Sequence, residues 1–581
     1  MNLADQLVGQ LQAAGVRRIY GVVGDSLNPV VDAVRRTGGS AKGGIDWIHV
    51  RHEETAAFAA AADAQLTGQL AVCAGSCGPG NLHLINGLYD ANRTGAPVLA
   101  IASHIPSSQI GQSFFQETHP DRLFVECSVY SELVSTPAQA PRVVYSAITH
   151  ALAAPGVAVV TLPGDIADQE ATSTAPRYVP PFRASLEPSP EAIQAVAEAI
   201  NGADRVAIFA GAGVEGAHDE LVDFAEKIAA PIGHSLRGKE WIQYDNPLDV
   251  GMTGLLGYGA AAAGMEDAQV LLMLGTDFPY DQFLPDGPTT IQVDRRPEVL
   301  GRRTCVDIPV QADVLPFLRA VTEQVEAKKS RRFLDRTLDK HEKLMTKAVG
   351  AYAKNAEKIV PIHPEYAASL LDEIATDDAI FTADTGMCDV WAARYINPNG
   401  RRRLIGSFLH GSMANALPHA IGAQIAYPGR QVVSISGDGG LSMLLGDMIT
   451  VADLGLPLKV VLFNNSTLGM VKLEMLVDKL PDFAVDVPDT RYADVATAMG
   501  WHGVRVTDPK RLRDAMTQVL AHPGPALLEV ITDPNALSIP PKITGEQIFG
   551  FATAISKIVM NGGAGEAVSM ARSNLRNIPR G

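Results

Sequence analysis

At 581 residues, 46% hydrophobic and 19% charged, with 53 Gly and 37 Pro, the chain is too long for one hydrophobic core. The profile is that of several turn-rich α/β domains and excludes a disordered chain or a coiled coil. Forty-eight basic against 64 acidic residues leave a net charge of −16, which argues against a nucleic-acid partner.

The N-terminal stretch "MNLADQLVGQLQAAGVRRIYGVVG" reads as an amphipathic helix entering a strand and lacks the basic-then-apolar order of a secretion signal. No uninterrupted run of 18 strongly apolar residues occurs, so no membrane span is expected. Five scattered cysteines without a CxxC pair indicate neither a disulfide framework nor a zinc site, and they fit a reducing cytoplasm. Through Ile166 the short apolar runs "IYGVVG", "LAVCAG", "VLAIAS" and "VAVVTLPGD" alternate with helical patterns, as in a parallel sheet with crossover helices. The Pro-rich "PRYVPPFRASLEPSPE" interrupts this rhythm and sets a boundary after residue 182. Residues 183–335 form a second, smaller α/β unit with strands at "RVAIFAGAG", "VLLMLGTDF" and "TIQVD". The charged helix near its end, "EAKKSRRFLDRTLDKHEKLMTKAVG", is expected to be a solvated connector. Residues 336–535 repeat the α/β pattern through "AIFTADTG", "VVSISGDGG", "KVVLFNN" and "ALLEVIT". Residues 536–581 form a tail whose Val568, Ala571, Leu575 and Ile578 fall near one helical face, with Arg572 and Arg576 elsewhere.

The third unit carries the most informative pattern. In a right-handed βαβ unit both strands end at the same edge of the sheet, so Asp438 and Asn465 converge although they are 27 positions apart. A carboxylate oxygen and an amide oxygen are hard ligands suited to Mg²⁺ or Ca²⁺, and the backbone carbonyl of Thr467 can add a third. Gly437, Gly439 and Gly440 open a helix whose free N–H groups and dipole favour phosphate oxygens. A divalent ion bridging a diphosphate to the protein is the economical interpretation. Each fragment alone would read as an ordinary turn or loop.

This pairing is the diphosphate signature of thiamine diphosphate enzymes, and the resemblance extends along nearly the whole chain. "RHEETAAFAAAADAQLTG", "AVCAGSCGPGNLHLINGLYDA", "FFQETHP", "RGKEW", "GMTGLLG", "LGTDFPY", "WAARY" and "HGSMANALPHAIGAQ" form an ordered set similar to the quinone-linked bacterial pyruvate oxidases. The resemblance implies three consecutive α/β domains that bind in turn the thiamine pyrimidine, FAD and the diphosphate, followed by a helical tail that would bind lipid. It places at Glu53 the carboxylic acid that protonates the cofactor's pyrimidine, a task suited to an acid in an apolar site. It assigns Met413 to propping the cofactor in its bent shape, and cofactor contacts to Asp384, Thr385, Gly386, His410, Gly411 and Ser412. Phe115 and Gln116 would shape a pocket for a small acyl group. FAD contacts carry over to Gly211 and Gly213, to Met252, Thr253, Gly254, Leu255 and Leu256, to Thr276, Asp277, Phe278, Pro279 and Tyr280, and to Asp294. The "GAGVEG" at Gly211 fits GxGxxG, a pattern that on its own also marks a plain strand-helix turn.

What the resemblance implies is oxidation of pyruvate to acetate and CO₂, with electrons passing through FAD to a membrane quinone. The enzyme would be a homotetramer, cytoplasmic and peripheral on the inner face of the cell membrane, held to lipid by the tail. Met470 stands where the quinone-linked relatives carry Phe and acetolactate synthases carry Met, so it belongs to the substrate side and keeps acetolactate synthase open. The chain lacks the Trp that those synthases place soon after this Met. Two further alternatives are an oxidase using O₂ and phosphate, and a catalytically silent scaffold or membrane-associated binding module.

Overall fold

The computed structural model describes residues 1–537 apart from 173, 177, 182, 183, 354 and 355, together with residues 568, 570, 573 and 574. The expected boundary at 182 and 183 therefore lies outside the described residues. Runs of β-branched and small apolar residues such as Ala71–Gly75, Val98–His104 and Val157–Pro163 are buried along their whole length, as central parallel strands covered by helices on both faces must be.

The first sheet runs in the order Asp46–His49, Arg18–Gly21, Ala71–Gly75, Val98–His104, Val157–Pro163, Tyr130–Leu133, with every pair parallel. The third runs Arg403–Gly406, Ile380–Ala383, Val432–Gly437, Lys459–Asn464, Ala526–Ile531, His502–Val506, again all parallel. Both follow one order in the chain: second, first, third, fourth, sixth, fifth. Between them lies a seven-stranded sheet that is parallel except where Tyr258–Gly259 pairs antiparallel with Asp249–Met252 at its edge. Three consecutive α/β domains with mainly parallel sheets are thus present. The strand order reverses between Ile380–Ala383 and Val432–Gly437, and a crevice opens at the carboxyl ends of strands at such a switch point. The loops that begin at Asp384 and at Asp438 leave the sheet there.

Two helices lock the first domain to the third. Glu53–Thr67 and Ala416–Ala426 are buried on nearly all sides, because alanine and glycine let their backbones approach closely. A Cβ added to Gly422 would lie 2.1 Å from the Ala59 carbonyl oxygen, with more Ala59 backbone at 2.8 and 2.9 Å. Gly422→Ala is therefore expected to destabilise the chain by about 1–3 kcal/mol through forced separation of the helices. Gly429→Ala, where nothing stands within 4 Å, is the matched control in thermal melts and should shift stability by no more than about 0.5 kcal/mol. Polar ties complete the contact: Thr55 donates to Asp447 at 2.6 Å, as does the Arg51 amide at 2.8 Å, and His419 lies 3.2 Å from Asp90.

Two expectations are modified. The charged helix Arg332–Leu344 is not merely solvated: Phe333, Leu334 and Thr337 are buried, and its inner side packs on the central domain, where strands Asp249–Met252 and Tyr258–Gly259 meet it. Phe333, Leu334 and Thr337 recur at helical spacing and supply one apolar stripe among the charges. In the tail, Met570 is fully buried against Leu473, Leu476 and Leu537, and Asn574 donates to the Asn535 carbonyl at 2.8 Å. Val568, on the face expected to be apolar and lipid-directed, is exposed, because the inward side at these positions is the one carrying Met570, Ser573 and Asn574. Ala571, Arg572, Leu575, Arg576 and Ile578 lie outside the described residues. Among the described residues no helix is long and apolar enough to cross a membrane.

Candidate active site

Strand Val432–Gly437 ends at an extended Gly437, and Asp438 begins the short helix Asp438–Met443. The Asp438 carboxylate is 2% exposed and accepts from the backbone amides of Gly439 and Ser466, while its Oδ2 has no hydrogen-bond partner among the described residues. Burial raises its pKa to about 6. From the next strand end, Asn465 Oδ1 accepts from the Thr467 amide at 3.2 Å, and the Thr467 carbonyl accepts from Gly469 at 2.9 Å. An orphaned carboxylate oxygen, an amide oxygen and a carbonyl oxygen on two converging loops form a donor set that fits Mg²⁺. Gly440 is dictated by packing, since a Cβ there would fall 1.9 Å from Asp384 Oδ2. At Gly439 a Cβ would meet Leu468 at 2.6 Å and the Met413 methyl at 3.4 Å, so this turn has room only for backbone.

The loop after Ile380–Ala383 supplies the other wall. Asp384 turns inward, accepting from the Thr385 amide at 3.0 Å and from Asn415 at 3.2 Å, and burial pushes its pKa up to about 7. Thr385 and Gly386 line the cavity instead. Asn415 also donates to the Ser412 carbonyl at 2.7 Å, which fixes the segment that projects Met413 and Gly411 into the same cavity. His410 Nε2 and Asn86 Oδ1 lie 2.8 Å apart, and Asn86 also donates to Ser412 Oγ at 2.8 Å and to Glu54 at 2.7 Å. Glu54 is thereby committed to an interdomain strap.

Glu53 opens the helix Glu53–Thr67, is 8% exposed, and its Oε2 lies 2.9 Å from Nδ1 of His83. His83 in turn stacks on His52 with centroids 4.3 Å apart. Gln116, at φ 61°, accepts a bond from the Cys77 thiol at 3.3 Å, and Phe115 is 78% exposed. Glu53, Phe115 and Gln116 are not among the residues lining the cavity, and neither are Asp384, His410, Ser412, Gly437, Gly439 and Gly440, or the donors Asp438, Asn465 and Thr467.

That cavity, about 1790 Å³, runs from Thr385, Gly386, Met413 and Met470 across the central domain to Asp294. Its central-domain wall contains Gly213, residues 252–256 and residues 276–280. Asp294 is 5% exposed and accepts from the Arg296 amide at 2.9 Å. Asp277 is paired with Arg302 and with Arg303 at 3.2 Å. Gly211 does not line the cavity. Cβ atoms at Gly211 and Gly213 would both come within 2.6 Å of Gly275 backbone, so the glycines allow two loops to touch. The next α-helix starts only at His218 after a 3₁₀ turn, a context that does not match a dinucleotide fingerprint.

Three further wall residues were not singled out by the sequence. Arg237 donates to the Thr94 carbonyl at 3.0 Å, and its burial lowers its pKa. Glu474 lies one helical turn beyond Met470 and is raised by burial and then by Asp478. Asp389 is held well above the usual carboxylate range by burial and then by Asp384. Arg237 stands in "RGKEW", where nothing in the local pattern marks the arginine as a cavity residue. The other two carry no local signal beyond helical spacing.

A switch-point crevice with hard oxygen donors and a glycine turn is the site of a cofactor-diphosphate protein, and the comparisons agree. Residues 1–123, 193–321 and 384–530 match, in turn, the N-terminal TPP binding domain, the central domain and the C-terminal TPP binding domain of thiamine pyrophosphate enzymes. The chain belongs to this family. It is 36% identical over 551 residues, 94% of each chain, to the putative thiamine pyrophosphate-containing protein YdaP of Bacillus subtilis. It is 31% identical over 534 residues to the pyruvate oxidase of Lactiplantibacillus plantarum, covering 90% of this chain and 87% of that one. It is 29% identical over 562 residues to the acetolactate synthase of Arthrospira platensis, covering 90% and 93%.

Proposed function

We propose that the chain is a flavin-linked oxidative decarboxylase of a small 2-oxo acid, pyruvate first, of the pyruvate oxidase type. The observation that carries this reading is the continuity of the cavity from Met413 and Met470 to Asp294. Its volume of about 1790 Å³, which includes the part lined by first-domain residues such as Arg17, Leu70 and Pro155, exceeds the roughly 300–1,000 Å³ of a pocket for one small ligand. Room for a second, extended cofactor supports a flavin beside thiamine diphosphate, which simple decarboxylation would not need.

Thiamine diphosphate, when bound, supplies an electron sink for loss of CO₂, and FAD along residues 252–256, 276–280 and Asp294 supplies a two-electron acceptor. The chain's own residues hold and orient. Asp438, Asn465 and Thr467 would offer oxygens to Mg²⁺, and the amides of the Gly437–Gly440 turn would hold the diphosphate. Met413 would prop the bound cofactor, and Glu53 would supply the acid that holds a proton at the pyrimidine N1′. Phe115 and Gln116 close the acyl pocket. The resemblance places Glu53, Phe115 and Gln116 of the first domain beside the cofactor of a neighbouring subunit, so a second copy would supply them and the enzyme would work as a dimer or a dimer of dimers. Exposed Phe114, Phe115 and Leu82 on that domain support an apolar subunit contact.

The relative named pyruvate oxidase supports O₂ as electron acceptor, and the form of the reaction proposed with it takes phosphate as acyl acceptor. A membrane quinone with water as acyl acceptor, and lipid attachment through the tail, is the variant of the same chemistry. A second reading, acetolactate synthase, is favoured by Met470 in the cavity wall and by the relative of that name. Product analysis with pyruvate separates them. Acetyl phosphate that requires O₂ and phosphate is expected. Acetate formed with quinone reduction, stimulated by lipid vesicles and lost on truncation after Asn561, would move the assignment to the quinone-linked form. Acetolactate as the main product would overturn oxidation.

A further inference from the structure

The loop that carries Asn465 and Thr467 is held from beneath by a buried acid on the neighbouring strand. Glu529, in Ala526–Ile531, is 0% exposed yet fully partnered. Its Oε1 accepts from Asn464 Nδ2 at 2.8 Å and from Arg505 at 2.8 Å, and its Oε2 accepts from the Ala493 amide at 3.0 Å. Arg505 is itself anchored at its other nitrogen by Asp489, at 2.8 Å.

Two chains of contacts lead from Glu529 to Asp438. The first passes through Asn464, whose Oδ1 accepts from the Ser466 amide at 3.2 Å and from its hydroxyl at 3.3 Å. The Ser466 amide also reaches the Asp438 carboxylate. Ser466 has φ 53°, a conformation that a non-glycine residue keeps only when its surroundings enforce it. The second chain passes through the N-terminus of helix Tyr492–Ala498, where Glu529 receives the Ala493 amide while the neighbouring Tyr492 hydroxyl donates to the Asp438 carbonyl at 3.1 Å. One carboxylate thus fixes both elements that grip Asp438, and Asn464, directly before Asn465, is the link to the loop.

We propose that Glu529, acting through Asn464, is a positioning residue that presets the oxygen donors of Asp438, Asn465 and Thr467 for a divalent ion. The inference rests on reading this crevice as the Mg²⁺–diphosphate cradle. An outer partner of this kind typically changes metal affinity by about 10–100-fold when it is removed, because the ligands lose their orientation rather than their identity.

The test is titration of Mg²⁺ into the purified full-length chain with thiamine diphosphate present, for the wild type, Glu529→Gln, Asn464→Ala and the double variant. Each single variant is expected to bind Mg²⁺ about 10–100-fold more weakly, with an unchanged far-ultraviolet circular dichroism spectrum. The double variant should be no weaker than the weaker single, since both remove the same Glu529–Asn464 contact. Glu529→Gln strands Arg505 and can impair folding, so Asn464→Ala, which leaves the Glu529–Arg505 pair intact, carries the decision in that case. Wild-type Mg²⁺ affinity in both variants, or in Asn464→Ala alone if Glu529→Gln does not fold, would overturn the positioning role while leaving the cofactor reading in place. If the wild type takes up neither Mg²⁺ nor thiamine diphosphate, the cofactor reading fails and this role falls with it.

Discussion

Glu53→Gln is expected to take up thiamine diphosphate and Mg²⁺ as the wild type does while decarboxylating pyruvate about 10²–10⁴-fold more slowly, the range of a lost general acid–base group. The variant keeps the first turn of Glu53–Thr67, because glutamine fills the same volume and can still bond His83, which lies 2.9 Å from Oε2. What it loses is an ionisable proton, and the pyrimidine nitrogen then has no acid to share one with. Glu54→Gln is the internal comparison. Glu54 receives a bond from Asn86 in the strap to Ser412 and His410, so its replacement should act on stability more than on kcat. Equal turnover in wild type and Glu53→Gln would remove Glu53 from the mechanism.

The second large effect is at Asp438. Asp438→Asn should abolish Mg²⁺-dependent uptake of thiamine diphosphate, with an apparent affinity loss of at least about 100-fold, because it neutralises the one anionic donor of the set. The same substitution should make the cofactor-free chain more stable. A carboxyl whose pKa is raised from 3.8 to about 6 in the fold is penalised when charged. The penalty is absent below the unfolded value, grows as pH rises between 3.8 and about 6, and at pH 7 is on the order of 3 kcal/mol. Asparagine retains an acceptor for the Gly439 and Ser466 amides and escapes that cost. Denaturant melts at pH 7 and pH 4 check the sign: the variant should exceed the wild type at pH 7 and lose its advantage at pH 4. A less stable variant at pH 7 would show that Asp438 is not the strained donor described.

How much was legible beforehand depends on how locally each feature is encoded. Long apolar strands such as "VVSISG" and "KVVLFN" announce themselves, because a central parallel strand needs apolar residues on both faces. Short edge strands such as Tyr130–Leu133 and His502–Val506 mix polar and apolar residues and give no comparable signal. The Asp438–Asn465 convergence was readable from βαβ handedness alone. The inward turn of Asp384 was not, since its partners Asn415 and Gly440 are 31 and more positions away. GxGxxG at Gly211 left a plain strand-helix turn open beside a dinucleotide loop, and its first two glycines are required by close contact with Gly275, a constraint visible only once the strands are paired. Glu529 carried no mark in "ALLEVIT" that set it apart from any strand residue facing a helix, and its value comes from Asn464, 65 positions earlier.

The most direct test of the account is anaerobic mixing of pyruvate with the chain reconstituted with thiamine diphosphate, Mg²⁺ and FAD, while flavin absorbance is followed. Bleaching of bound flavin, one equivalent per CO₂ released, is predicted, with Asp438→Asn silent in the same experiment. Steady CO₂ release with oxidised flavin throughout would contradict it.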